Sequence, residues 1–322
     1  MTAPAALILY AALVAGLGPM ILRRIPWLER SPRLGIAVWQ ALSLSLVSAV
    51  VFAGLSLAIP AIPWTTNLAE FISACAMTLL AQYSTPGGAA VSATGAVAAL
   101  AVLGRVCYSL IAVRVRLSRD RQTQLDALAV LGERHRDYDA FVIEHASAAA
   151  YCLPGRQHRV VLTSAALTAL DHNQLIAVLA HEQAHLRGRH HLILAAAETL
   201  HCAFPRIAVF REARGTLGRL VEMLADDDAA RRSGRTTVAT ALVRLAEHGL
   251  APAPALGAGG ESAVIRVRRL VAPHRPLGAA RTVIAAAGAG VLLALPLFFA
   301  LAPATAAGTM PPCPPGDTSL TM

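Results

Sequence analysis

No lysine occurs in the 322 residues: all 28 basic residues are arginine, and only 19 acids oppose them, leaving a net charge of +9. Charge is scarce at 15% of residues and aromatics scarcer at 5%, whereas apolar residues make up 56% and the mean hydropathy is +0.55. So little charge in so apolar a chain excludes disorder and an ordinary soluble enzyme. The five cysteines, Cys75, Cys107, Cys152, Cys202 and Cys313, include no close pair and are odd in number. A disulfide framework and a cysteine zinc site are thereby excluded, and the bulk of the protein is expected in a reducing compartment. The arginines crowd the ends of apolar runs instead of forming a basic face, so they are expected to set membrane topology and not to bind nucleic acid directly.

Crossing the hydrocarbon core takes about 20 helical residues, and four apolar runs provide them. They are 2–22, 34–59, 87–113 (with Arg105 snorkelling) and 282–303. No Lys or Arg precedes the first, so it is expected to be a retained span and not a cleaved signal peptide. Four arginines lie between Arg23 and Arg33, and none in the loop 60–86 or after Ala302. The positive-inside rule then puts both termini and that loop outside the plasma membrane. The expected organisation is three membrane helices in 1–113, a cytoplasmic domain in 114–281, the fourth helix at 282–303 and a short outer tail, 304–322. The apolar patch Phe71 to Ala81 is too short for a span and is expected to be interfacial or re-entrant.

Residues 114–136 alternate charge and apolarity as an amphipathic helix leading off the membrane. Phe141–Ile143, Ala148–Leu153 and Arg159–Leu162 read as short strands, the last two joined at Pro154-Gly155 as a hairpin. Ser164 opens a short helix, and Asp171 with Gln174 forms a capping box for a longer one that runs without proline until Pro205. Further helices are expected at 216–230 and 236–248, followed by an Ala/Pro/Gly linker at 251–260. The fold class is therefore mainly α: a polytopic membrane protein with a cytoplasmic α+β domain carrying a small sheet.

His181-Glu182-Gln183-Ala184-His185 reads HExxH: two imidazoles at i and i+4 share a helical face, as one zinc ion requires, with Glu182 beside them as general base. A third ligand is needed, and two are on offer. His191 completes HExxHxxGxxH, with Gly188 ending the helix. That pattern calls for a downstream Met-turn, and the domain's single methionine, Met223, sits in a helical stretch. Alternatively Glu222 binds, and Asp226 one turn later backs a histidine. In this second reading His191-Leu192-Ile193-Leu194 continues the helix through Gly188, which costs about 1 kcal/mol. His190 and His201 are expected to be surface or packing residues.

The segment 149–155 (AAYCLPG), the strand 160–163 (VVLT), the helix at 180–185 and Glu222–Asp226, with three spans before and one after, resemble the BlaR/MecR-type integral membrane zinc peptidases. These are related to the heat-shock and CAAX-processing membrane gluzincins. The resemblance implies one zinc ion held by His181, His185 and Glu222, Glu182 as general base and Asp226 orienting a histidine. It further implies that Ala149, Ala150, Tyr151, Cys152 and Leu153 form an edge strand that pairs with an extended protein substrate, such as a cytoplasmic repressor or a membrane protein. Well-known sensor members carry a penicillin-binding domain after the fourth span; none is expected here, so a separate sensor protein is an expected partner. Candidate oxyanion donors are Tyr151, His248, Arg266, Arg268, Arg269 and His274. The alternative is a receptor or scaffold with a vestigial site, against which the presence of Glu182 speaks. A metal transporter would want ionisable residues within the spans, and only Arg105 is there. Self-association is compatible with each of these readings.

Overall fold

The computed structural model describes residues 2–59, 73, 77, 80, 84–155, 159–249, 263–273 and 276–307, with side chains from Ala3 to Leu301. Most of the patch Phe71–Ala81, the linker Ala251–Gly260 and the tail beyond residue 307 lie outside them. The elements in order are α1 (Thr2–Arg23), a 3-10 turn (Pro26–Arg30), α2 (Pro32–Ala58), α3 (Gly88–Leu131), β1 (Glu133–His135), β2 (Ala140–Ile143), β3 (Ala150–Leu153) and β4 (Arg159–Thr163). There follow α4 (Ser164–Ala169), α5 (His172–Arg187), α6 (His190–Ala203), α7 (Ala208–Ser233) and α8 (Arg235–His248). A helix over 263–271, here α9, and α10 (Ala279–Ala307) close the described chain. Four helices are long and apolar enough to cross a membrane, α1, α2, α3 and α10, which matches the fold class expected from the sequence.

The third span and the charged helix after it are one element of 44 residues, about 66 Å long at 1.5 Å per residue. Good helix formers without proline carry α3 through the change from apolar to charged. It stops at Leu131, five residues before the expected end, because Gly132 closes it. The Gly132 N–H bonds Leu128 O at 2.9 Å, and a Cβ there would lie 2.5 Å from the same oxygen. Residues 133–135 are thus freed to form β1, a strand that the sequence reading did not anticipate.

The chain divides into two compact units. One comprises residues 1–15, 44–104 and 290–322. In it α2 and α3 touch at two glycines: a Cβ on Gly95 would lie 2.6 Å from Gly54 O, and one on Gly54 2.7 Å from Gly95 O. Such contacts let helix backbones approach in lipid, where no hydrophobic effect drives them together.

The other unit, residues 16–43 and 105–289, carries the sheet. Strand order is β1-β2-β4-β3, with β2 and β4 parallel and the outer pairs antiparallel. Strand alternation splits the side chains. Val160, Leu162 and Ala140 pack with Leu175, Val178 and Leu179 of α5, while Val161 and Leu153 pack on Leu128 of α3. Central strand β4 is therefore covered on both faces, and β3 is left as an edge. The capping box forms as expected: Asp171 Oδ1 accepts from Gln174 N, and Gln174 Oε1 from Asp171 N.

Candidate metal centre

Helices α5 and α7 meet along a seam of small residues. Ala177 and Ala180 of α5 pack with Ala229 of α7, together with Val238 and Ala239 of α8. Methyl-sized contacts bring the two axes close enough for a short carboxylate on one helix to reach an imidazole on the other. The i, i+4 pairs His181/His185 and Glu222/Asp226 face each other across that seam.

The result is a cluster of three donors. His181 Nε2 and His185 Nε2 are 3.1 Å apart; each lies 3.5 Å from an oxygen of Glu222. A tetrahedral ion with ligands at 2.0–2.1 Å has donor atoms separated by about 3.3 Å, so donor set and spacing both fit zinc. Among the described residues this is the one group of three or more His, Cys, Asp or Glu side chains that could hold a metal. His191 is not in it. The helix does break at Gly188, contrary to the continuous helix read from 191–194, but His191 is exposed on α6 and outside the donor cluster. Met223 is buried within α7, so it forms no Met-turn for the HExxHxxGxxH reading.

Two of the donors, His181 and Glu222, are held from behind. His181 Nδ1 lies 3.0 Å from Asp226 Oδ1, with its N–H off the line to the oxygen. Asp226, 1% exposed, also takes a bidentate Arg266 pair at 2.7 and 2.7 Å. Arg266 Nη1 reaches Glu222 Oε2 at 3.0 Å. The run Asp226-Asp227-Asp228, which composition alone presents as an acidic surface, is divided among four arginines by the 100° step of the helix. Asp227 pairs with Arg269 at 2.7 Å, and Asp228 with Arg187 at 2.5 Å and with Arg231.

These contacts set the charges of the metal-free protein. Burial disfavours a charged His181, but Asp226 and Glu222 outweigh it and lift the ring to about 9. Burial also works against Glu222 and Asp226, yet His181 and Arg266 hold both carboxyls down at about 2. His185 is lowered to about 4 by burial. Burial pushes Glu182 up to about 7, near neutrality, with the Cys152 thiol hydrogen-bonded to its carboxylate. The same burial and the Glu182 charge push that thiol up to about 12, so it is inert.

Of the other residues singled out from the sequence, Ala150 lines a cavity of about 200 Å³ together with His181, Glu182, Glu222 and Arg266. Tyr151 packs toward Leu128 on the opposite sheet face, which removes it as an oxyanion donor. His248 and Arg268 are exposed and line no part of this cavity; Arg269 is engaged by Asp227. His274 lies outside the described residues. Among the described candidates, Arg266 alone reaches the site. Its pairing with Asp226 could not be read from the sequence, since no spacing rule ties residue 266 to residue 226.

Residues 116–215 match Peptidase family M48, a family of metallopeptidases that are generally zinc-dependent. No curated protein and no solved structure matches the chain. The matched stretch contains the HExxH helix and ends before Glu222 and Asp226, which enter the site by geometry alone. With the four apolar helices, the match supports a membrane-associated metallopeptidase.

Proposed function

We propose that this is an integral membrane zinc endopeptidase of the BlaR/MecR type, with its active site in the cytoplasm. Its role is regulated proteolysis: a repressor or membrane protein is cut in response to envelope or antibiotic stress relayed by a separate sensor. The convergence of His181, His185 and Glu222 beside Glu182 carries the reading, and the arginine-rich link between α1 and α2 supports the orientation.

Zinc held by His181, His185 and Glu222 would supply Lewis-acid activation of a water and of the scissile carbonyl. Glu182, the acid that metal binding does not need, takes the proton of the water at its carboxylate and delivers it to the leaving amine. Arg266 touches Glu222 and Asp226 and is a positioning residue. The substrate lies along β3. Ala149 O accepts Thr163 N across the β3–β4 ladder, so by antiparallel alternation the backbone groups of Ala150 and Cys152 face the open edge. An extended peptide added there passes the cavity, whose apolar wall of Val178, Leu242 and Leu245 receives one of its side chains.

Zinc content of the detergent-purified protein tests the reading. One ion is expected in wild type and in His191→Ala, and none in Glu222→Ala. Loss in His191→Ala alone would restore the HExxHxxGxxH ligand set; a wild type that stays metal-free after reconstitution would leave a scaffold.

Metal loading also has a proton signature. At pH 7 the metal-free His181, raised to about 9, is protonated, whereas His185 and Glu222 at about 4 and 2 are not. Zinc takes only the neutral ring, so binding at pH 7 releases about one proton from His181, plus the fraction carried by Glu182. Apparent affinity therefore rises about tenfold per pH unit from 7 toward 9, and calorimetry in buffers of different ionisation enthalpy reads the proton count. For specificity, Leu242→Ala widens the cavity, and the ratio of kcat/KM for a Phe-bearing over a Leu-bearing peptide should rise about tenfold.

A further inference from the structure

Resting on the zinc-site reading, we infer that His190 fixes the ring of His185 by accepting the His185 Nδ1–H at its own Nδ1, and that residue 188 is glycine to permit this. His185 turns Nε2 toward His181 and Glu222, so a metal bound there leaves Nδ1 carrying the hydrogen. That hydrogen needs an acceptor, because ligand histidines are oriented by what their far nitrogen bonds. His181 has the Asp226 carboxylate in this place. His185 has an imidazole: His190 Nδ1 is 3.2 Å from His185 Nδ1, and the rings meet edge-on at 83°. Two ring nitrogens at that distance pair when one is N–H and the other a lone pair, which assigns the Nε2–H tautomer to His190.

The backbone is shaped for the contact. His190 is the first residue of α6 and is 3% exposed. It is folded back over α5 by Arg189, whose φ of 48° and ψ of 38° are left-handed, a conformation unfavourable for a non-glycine residue. A Cβ at position 188 would lie 2.3 Å from His190 Nε2 and 2.6 Å from its Cδ2, so any larger residue drives the ring off His185. The break that the HExxHxxGxxH pattern assigns to presenting His191 as a ligand presents its neighbour to the back of one.

Three variants test this, by zinc affinity from chelator competition and by the visible spectrum of the cobalt-substituted protein, with circular dichroism confirming the fold. His190→Leu keeps bulk and loses the acceptor; affinity should fall 10- to 100-fold, in the range typical of such partners, and the cobalt bands should shift. His190→Asn, which puts an amide oxygen where Nδ1 was, should recover to within a few-fold of wild type with an unshifted spectrum. Gly188→Ala retains the imidazole but displaces it, and should reproduce the His190→Leu loss. A His190→Leu protein with wild-type affinity and spectrum overturns the role, as does His190→Asn failing as badly as His190→Leu, which would leave packing alone. A wild type that holds no metal defeats the proposed function itself, and this role with it; a loaded wild type with unchanged variants defeats only the role of His190.

Discussion

Glu182→Gln should leave one zinc bound and reduce peptide cleavage about 10²- to 10⁴-fold, the contribution of a positioned general base. The substitution is isosteric and removes no donor, since the three converging ligand atoms belong to His181, His185 and Glu222. What it removes is a carboxylate that burial holds at about 7 in the metal-free protein. Glu182 accepts a proton only when ionised, so kcat/KM in wild type should rise with pH along an acid limb. A nearby dication favours the ionised form, which places that limb at or below pH 7 in the loaded enzyme. The residual activity of Glu182→Gln should lack the limb. Full cleavage with intact zinc in this variant would remove Glu182 from the mechanism; unchanged signalling in cells would point to the scaffold.

Arg266→Ala should destabilise the metal-free protein by about 3–5 kcal/mol, the cost of orphaning one member of a buried ion pair. Asp226 has a side chain 1% exposed and Arg266 one 12% exposed, so water does not replace the lost guanidinium and His181 alone is left to face the carboxylate. Pairing Arg266→Ala with Asp226→Asn should be much milder, because both charges leave together. A double-mutant cycle followed by thermal unfolding in detergent reads the difference. Equal destabilisation in the single and double variants would mean that Arg266 matters only through packing. Acid should act on the same contact. Asp226, held at about 2 against an ordinary value near 4, contributes stability that is present above pH 4 and is lost as pH falls through 2.

Much of this architecture was legible without coordinates. Apolar runs of span length gave the four candidate membrane helices, strand alternation gave three of the four strands, and two i, i+4 pairs gave the donor cluster. These signals are local, decided within five residues or by the length of a run. The failures are of another kind. The end of α3 turned on Gly132 closing the helix, where helix propensity read through to Arg136. The break between α5 and α6 turned on Gly188 and a left-handed Arg189, against a series of good helix formers on both sides. Arg266 and His190 are both defined by what they touch. One is separated from Asp226 by 40 positions, and the other lies nine from His181 but across a turn that residue type does not announce.

The alanine seam between α5 and α7 carries a consequence for sequence drift. Ala177, Ala180 and Ala229 have no chemistry, yet each is less than 6% exposed and sets the separation of the two helices that bring the donors together. Replacing any of them by valine or leucine would pry apart atoms that must stay within a few tenths of an ångström of one another. A saturation scan scored on metal retention should therefore find these alanines about as intolerant as the histidines. The information that specifies the site is distributed over residues that no motif search would mark, and a homologue could keep every ligand and lose the metal through one added methyl group.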